Sequence, residues 1–177
     1  MMEPSSKTFN ARILTQINEV KEAEWDAHLP EGSHPFVSWR FLHALEESGC
    51  AAEETGWSPR HIWLEDEHGK SLGAAPLYAK LHSQGEYVFD HGWADALARA
   101  GGHYYPKLQC SVPFTPAGGP RLLAKSAAHK QALVTAMVSA CQQWEMSGIH
   151  LTFLQENDRK ILNDMGFSTR EDRQFHF

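Results

Sequence analysis

The clearest hydrophobic pattern in the chain is a helical stripe in its second half. Apolar residues recur there at i, i+3, i+4, i+7, i+8 and i+11: Leu133, Ala136, Met137, Ala140, Cys141 and Trp144. This spacing places all six side chains on one face of a helix, and such a face is normally buried. Ser126 is a suitable N-cap and Gly148 a stop signal, so we expect a long helix whose apolar face, including Trp144, packs in the core.

Alternation with a period of two predicts strands around this helix. Residues 108–115 form a candidate strand that runs into a turn at 116–120, and residues 149–153 alternate after the helix. A short helix should follow, capped by Asn157 or Asp158 and ended by Gly166. Phe175 and Phe177 on either side of His176 then predict a last strand.

The first half of the chain has a different pattern. Residues 9–17 predict a short strand, and two helices follow, one capped by Asn18 and ended near Pro30, the other after Pro35 and closed by Gly49. A polar loop at 53–59 leads to a strand at 61–64, a hairpin turn at 66–70 and a partner strand at 71–81. Pro76 predicts a bulge or an edge position in that partner strand.

This order of elements predicts the fold class. Strands alternate with helices in the second half, which requires a partly parallel sheet, whereas the hairpin in the first half is antiparallel. We therefore expect an α/β (α+β) fold in which helices flank one mixed sheet.

Composition limits the classes of function. The formal net charge of −6 argues against general binding to nucleic acid or anionic membranes. No segment approaches the roughly 20 apolar residues of a membrane helix, and the three cysteines are typical of reduced core residues in a cytoplasmic protein. The eleven histidines show no metal-ligand spacing, so we expect no metal site.

Most of the candidate chemistry lies in the stretch from Gly85 to Leu123. A strand that ends in a turn rich in Pro and Gly, with a helix beyond it, can direct several backbone N–H groups at a small anion. The alternative is a long aromatic connection that only covers the core.

The sequence resembles a known family in this stretch. The run FDHGWADALARAGGHYYPKLQCSVPFTPAGGPRLL, together with HLTFL, is similar to the FemAB-like peptidoglycan biosynthesis/recognition family, whose members have two GNAT-like halves. NDRKILNDMGF before the last predicted strand also resembles GNAT acyltransferases. The similarity begins near Pro35, and it implies that residues 1–177 form one GNAT-like domain, equivalent to the first half of a two-domain protein.

The resemblance implies transfer of an acyl or aminoacyl group to an amine of a peptide or cell-wall precursor, with acyl-CoA or aminoacyl-tRNA as the donor. Simple GNAT enzymes hold the pyrophosphate of coenzyme A with backbone amides after the central strand. Here the corresponding segment, Thr115 to Arg121, contains two prolines that lack N–H donors. Many GNAT enzymes have a Tyr that acts as the acid for the leaving thiol. Leu162 stands at that position here, so the resemblance assigns this acid to no residue of the chain.

Acyl transfer requires a base for the acceptor ammonium and donors for the oxyanion. The base candidates are Asp90, His91 and Asp95, of which His91 has the most suitable intrinsic pKa. The candidates for substrate binding are Tyr104, Tyr105, Lys107, Phe114, Thr115, Gly118, Gly119 and Arg121. We expect Asp90, His91, Tyr105, Lys107 and Arg121 to line one cleft.

Two alternatives to an active enzyme stay open. The chain can be a non-catalytic half-domain that binds a substrate or a partner, or a folding fragment without activity.

An apolar strand at 175–177 would leave an exposed edge, from which we expect a homodimer.

Overall fold

The computed structural model describes residues 9–88 and 90–171. The predicted strand at 175–177, and the dimer edge inferred from it, therefore lie outside the described residues. The strands are β1 (Asn10–Leu14), β2 (Trp57–Pro59), β3 (His61–Glu65), β4 (Ser71–Ala75), β5 (Tyr78–Lys80), β6 (Lys107–Cys110), β7 (Leu123–Ala124) and β8 (Ile149–Leu151). The α-helices are α1 (Glu22–Asp26), α2 (Trp39–Glu47), α3 (His91–Arg99), α4 (Ala127–Gln143) and α5 (Glu156–Asp164).

The strands form two four-stranded sheets where the sequence predicts one. The first sheet has the order β1-β3-β4-β7 and is antiparallel, whereas the second has the order β2-β5-β6-β8. In the second sheet only the β6–β8 pair is parallel. The prediction of an α/β fold with mixed strand directions is thus confirmed, and the single sheet is corrected to two.

Pro76 explains this division. The predicted strand at 71–81 is split into β4, which pairs in the first sheet, and β5, which pairs in the second. Opposite this break, the predicted loop at 53–59 contains β2, and the Arg60 N–H donates to the Leu77 carbonyl at 2.8 Å. One long hairpin therefore runs through both sheets. Pro76, which has no N–H donor, lies where the hairpin passes from the first sheet to the second.

Helix α4 packs against both sheets. Its Leu133, Val134 and Met137 are fully buried in one cluster with Ile62 of the first sheet and Leu108 of the second. Ser126 caps the helix as predicted, since its hydroxyl accepts a hydrogen bond from the His129 N–H. Trp144 follows the helix and is half-buried, which corrects the prediction that it is fully buried.

A second cluster covers the other face of the first sheet. Trp63 on β3 points away from α4 and packs with Trp25, Val37 and Leu42 from the helices before it. The helix predicted from Asn18 is shorter, because a 3₁₀ turn at Ile17–Glu19 precedes α1, which ends at Asp26.

Helix α3 is the element that the sequence pattern does not predict. None of its residues is buried, and Trp93 and Leu97 are 65% and 40% exposed. A helix that buries no face gives no buried stripe to detect, so its residues were assigned to a long connection. Among the described helices, none is long and apolar enough to cross a membrane.

Candidate functional site

Two buried lysines lie side by side on the second sheet. Lys80 on β5 is directly opposite Lys107 on β6, and neither side chain is accessible to solvent. Leu108 and Cys110 occupy the alternate positions of β6 and belong to the core beneath α4. Because side chains alternate along a strand, the lysines lie on the face of this sheet that is turned away from α4.

Lys107 is the centre of a buried ionic cluster. Its ammonium donates to Glu86 Oε2 at 2.7 Å, to Asp90 Oδ2 at 2.9 Å and to Ser83 Oγ at 3.0 Å. His150 Nδ1 lies 3.5 Å from the same nitrogen. One lysine is therefore held by two carboxylates, an arrangement that tolerates burial because each charge has a partner.

Two tyrosines join this cluster to the surface. The Tyr104 hydroxyl donates to Asp90 Oδ2 at 2.9 Å, and the Tyr105 hydroxyl lies 2.7 Å from Ser83 Oγ. Both rings also border a shallow depression of about 290 Å³, whose remaining lining residues are Ala94, Asp95, Ala98, Gly102 and His103. The tyrosines thus separate the buried charges from a surface concavity.

The two carboxyl groups of the cluster differ in their electrostatics. Burial would raise the pKa of Asp90, but hydrogen bonds from Lys107, Ser83 and Tyr104 outweigh it and lower that pKa. Burial raises the pKa of Glu86, and the hydrogen bond from Lys107 only partly offsets this. Asp90 is therefore the weaker base of the two, and Glu86 is the stronger proton acceptor.

Two basic side chains next to Lys107 have lowered pKa values. Burial lowers the pKa of Lys80 to about 7; Lys107 adds to this shift and Glu86 opposes it. Burial and the Lys107 charge lower the pKa of His150 to about 4. The Lys80 ammonium lies 3.6 Å from the centre of the Trp57 ring and donates to the Gln84 carbonyl at 3.3 Å.

The structure brings only part of the predicted site together. Asp90, Tyr104, Tyr105 and Lys107 are in contact. His91 and Asp95 are exposed on α3, where Asp95 borders the depression. Arg121 does not join them, because its guanidinium donates to the carbonyls of Thr152, Ala117 and Pro120.

The turn after β6 is already occupied by protein groups. The Gly119 N–H donates to the Phe153 carbonyl, and the N–H groups of Arg121 and Leu122 both donate to Asp158 Oδ2, at 2.8 and 3.1 Å. Lys130 binds the other oxygen of Asp158 at 2.6 Å. The anion-binding turn predicted from Thr115, Gly118, Gly119 and Arg121 is thus filled by a carboxylate of the chain itself. Phe114 is 43% exposed and lies against Gly85 and Trp57.

Several members of the cluster were not found by sequence reasoning. They are Lys80, Ser83, Glu86 and His150. The available signal was Lys80 and Lys107 in strands whose neighbours are apolar, since a lysine in such a strand needs a partner. Within the described ranges, no group of three or more His, Cys, Asp or Glu side chains could hold a metal ion.

Comparison with known proteins adds a family and a fold. Residues 16–177 match the FemAB-like family, described as peptidoglycan biosynthesis/recognition. A search of curated proteins found no match. The structure is similar to glucosamine-6-phosphate N-acetyltransferase from Arabidopsis thaliana, with a TM-score of 0.51, 12% identity and coverage of 97% of this chain and 99% of that one.

A second solved structure is the Trypanosoma brucei acetyltransferase Tb11.01.2886. Its TM-score is 0.47 and its identity 14%, with coverage of 96% of this chain and 99% of that one. The fold is that of the GNAT acetyltransferases, in agreement with the expectation from the sequence.

Proposed function

Because the chain belongs to the FemAB-like peptidoglycan biosynthesis/recognition family, we propose that it acts in the transfer of an acyl or aminoacyl group to an amine of a peptide or cell-wall precursor. The observation that carries this proposal is the buried pair of carboxyl groups, Glu86 and Asp90, behind a depression bordered by Tyr104 and Tyr105. Carboxyl groups in this position can attract an ammonium and accept its proton.

The geometry divides the roles between the carboxyl groups. Asp90 holds Lys107 and Tyr104 and is a positioning residue, whereas Glu86 is the proposed base because burial raises its pKa. Asp95 is exposed on α3 at the edge of the depression, where it can orient the acceptor, and His91 is exposed at the start of the same helix, outside the lining of the depression. Tyr105 and Lys107 both bind the Ser83 hydroxyl and hold it in place.

The proposed step is an acyl substitution. Glu86 accepts the proton of the acceptor ammonium, and the free amine nitrogen then bonds to the acyl carbon. The bond from that carbon to the sulfur or oxygen of the donor breaks, and the leaving group takes, directly or through solvent, the second proton that the nitrogen loses as the amide forms. Acyl-CoA and aminoacyl-tRNA both fit this scheme as donors. The turn at 115–121 is assigned no part in it, because its Gly119 and Arg121 amides already bind Phe153 and Asp158.

A specific observation favours a second candidate function. Lys107, Glu86 and Asp90 are almost completely buried in this structure, and the depression beside them is shallow. On this alternative the domain is the substrate-binding half of a two-domain transferase and a second half carries the donor.

We place such a protein in the cytoplasm, and the homodimer expected from residues 175–177 remains a proposal that sedimentation velocity can test.

A transfer assay tests the proposed function. The purified chain is incubated with acetyl-CoA and a short peptide that has one free primary amine, and acylated peptide is measured by mass spectrometry. Glu86→Gln should lower the rate by about 10²–10⁴-fold, the usual contribution of a general base. Glu54→Gln, the same change at an exposed residue, is the matched control.

The outcomes separate the two candidates. A transfer rate that Glu86→Gln lowers and Glu54→Gln does not supports the enzyme. Saturable peptide binding without transfer supports the binding half-domain. If the chain neither binds nor acylates the peptide, both are wrong.

A further inference from the structure

The outer face of the second sheet is polar along its two central strands, β5 and β6, although it is buried. Along β6 and just beyond it, Lys107, Gln109 and Ser111 occupy alternate positions and are at most 2% exposed. Tyr78 on β5 lies directly opposite Gln109, as Lys80 lies opposite Lys107. Side chains at paired positions share one face, so these residues form a continuous polar row along the middle of the sheet.

This row contains polar atoms without partners. Six buried side-chain nitrogen or oxygen atoms of residues 9–88 and 90–171 have no hydrogen bond, and five of them lie on this face or on the cluster against it: Tyr78 OH, Glu86 Oε1, Asp90 Oδ1, Gln109 Oε1 and Ser111 Oγ. A buried polar atom without a partner costs about 1–3 kcal/mol, and folded proteins rarely leave one unpaired. Five such atoms in one region indicate a place where a polar guest belongs.

The cover over this face is thin. It includes residues 81–87, which we call the strap, together with Phe114. Gly85 has φ +77°, and a Cβ at this position would lie 2.6 Å from the Phe114 ring. Only a glycine therefore lets the strap lie against that ring. Two sets of bonds hold the strap. The Phe114 N–H donates to the Gly85 carbonyl, and the Trp57 indole and Lys80 ammonium both donate to the Gln84 carbonyl. The Lys107 ammonium also donates to Ser83 and Glu86, so the strap is tied to the row by the cluster itself.

The strap and Phe114 carry backbone strain, and the strap also has exposed apolar surface. Tyr87 and Phe114 have φ values of 54° and 56°, which aromatic residues seldom adopt. Leu81 and Tyr87 are 62% and 56% exposed. Strained backbone of this kind is typical of segments that change conformation when a ligand binds.

The unpartnered atoms define the chemistry of the guest. Glu86 Oε1, Asp90 Oδ1 and Gln109 Oε1 can only accept hydrogen bonds, whereas the two hydroxyl groups can accept or donate. A guest that satisfies these acceptors must bring several N–H donors. A primary ammonium has three, and its charge complements the negative charge that the two carboxylates keep after pairing with Lys107.

We propose that the polar face of the second sheet, beneath the strap, is a binding groove for a primary ammonium, which Glu86, Asp90 and Gln109 receive. The inference rests on the proposed function in one respect: this ammonium is the acceptor of the acyl group. It adds that the acceptor amine is primary, that Gln109 and Ser111 select it, and that the strap opens to admit it.

Binding of small amines in the absence of any acyl donor tests the groove. The probes are n-butylammonium, n-butanol, which lacks the charge, and trimethylbutylammonium, which keeps the charge but has no N–H donor. Binding is followed by the NMR signal of the Trp57 indole N–H, whose bond to Gln84 reports the position of the strap. We expect saturable shifts with n-butylammonium only.

Two variants show whether the ammonium is bound where proposed. Gln109→Leu removes one acceptor and should weaken n-butylammonium binding about tenfold, equal to 1.4 kcal/mol. Gln142→Leu makes the same change on the exposed face of α4 and should have no effect. Phe114→Ala removes the ring that lies against Gly85 and should speed association, because the strap then opens more easily.

Three results would overturn the groove: no saturable shift up to the solubility of the salt, equal binding of trimethylbutylammonium, or binding that Gln109→Leu leaves unchanged. The first of these would mean that ordered water satisfies the unpartnered atoms. Acyl transfer to a peptide amine without ammonium binding at this face would refute the groove and leave the proposed function intact. Ammonium binding without transfer would support the groove and favour the binding half-domain.

Discussion

Buried charges in this protein are arranged in two ways, and each leads to a different function for the residue. Asp158 is 1% exposed and is fully paired by Lys130 and by two backbone N–H groups. Glu86 and Asp90 are equally buried, yet each keeps one oxygen without a partner. The first arrangement stabilises the turn at 115–121, whereas the second leaves capacity for a ligand.

Sequence reasoning reached these residues unevenly. Asp90, Tyr104, Tyr105 and Lys107 could be selected because they cluster within one short stretch of the chain. Asp158 was taken for a helix cap, since its position near the start of α5 favours that role, but the N-cap is Gln155. Its partners, Arg121 and Leu122, are 37 and 36 residues away, and no local pattern encodes that contact.

Lys80 should make the stability of the protein depend on pH. Its pKa of about 7 in the folded state lies well below the value of about 10.4 of an unfolded lysine. Above pH 7 the unfolded chain therefore binds a proton that the folded chain does not, so the free energy of unfolding should rise with pH. The rise is at most about 1.4 kcal/mol per pH unit. Below pH 7 the folded and unfolded chains both bind this proton, so the pH dependence that Lys80 causes disappears.

Urea unfolding at about pH 7.5 and pH 9 measures this dependence. Lys80→Met should abolish the rise that Lys80 causes, and Lys70→Met in the hairpin turn should keep it. The range stops near pH 9 because burial raises the pKa of the Cys110 thiol to about 12, and its ionisation in the unfolded chain opposes the rise. The same pH dependence in wild type and Lys80→Met would show that Lys80 stays protonated.

At the scale of secondary structure, buried periodic segments could be predicted and others could not. The stripe of α4 and the alternation around β8 were found because one face of each packs in a core, whereas β3 is a short apolar run that is buried on both faces. Helix α3 was missed because it buries no residue. The break at Pro76 was recognised as an irregularity, but its consequence, strands in two sheets, depends on pairing with distant segments.

The burial of α4 predicts an order of mutational effects. Leu133 is fully buried at the middle of the core, so Leu133→Ala should cost about 2–5 kcal/mol. Trp144 lies at the C-terminal end of the helix and is only half-buried, so Trp144→Ala should cost less than Leu133→Ala despite its larger volume. Urea unfolding of both variants gives the comparison. A larger loss of unfolding free energy for Trp144→Ala would show that the core is centred nearer the C-terminal end of α4.

The whole molecule combines two sheets that differ in what their outer faces carry. In the first sheet that face is apolar and packs under α1 and α2, whereas in the second it is polar and is covered by the strap. Helix α4 joins the two through a shared cluster. A rigid core beside a thinly covered polar face suits a domain that must admit a substrate without losing its fold.

Because this shared cluster includes residues of both sheets, we expect the two sheets to unfold in one cooperative transition. Native-state hydrogen exchange of Ile62 on β3 and Leu108 on β6 should therefore give equal free energies of opening. Leu133→Ala should lower both by the same amount, since Leu133 packs in the cluster that holds both strands. The strap should exchange through smaller openings, because residues 81–87 belong to no helix or strand. A second sheet that opens well before the first would show that α4 does not couple them, and the polar face would then open by unfolding of its sheet and not by movement of the strap.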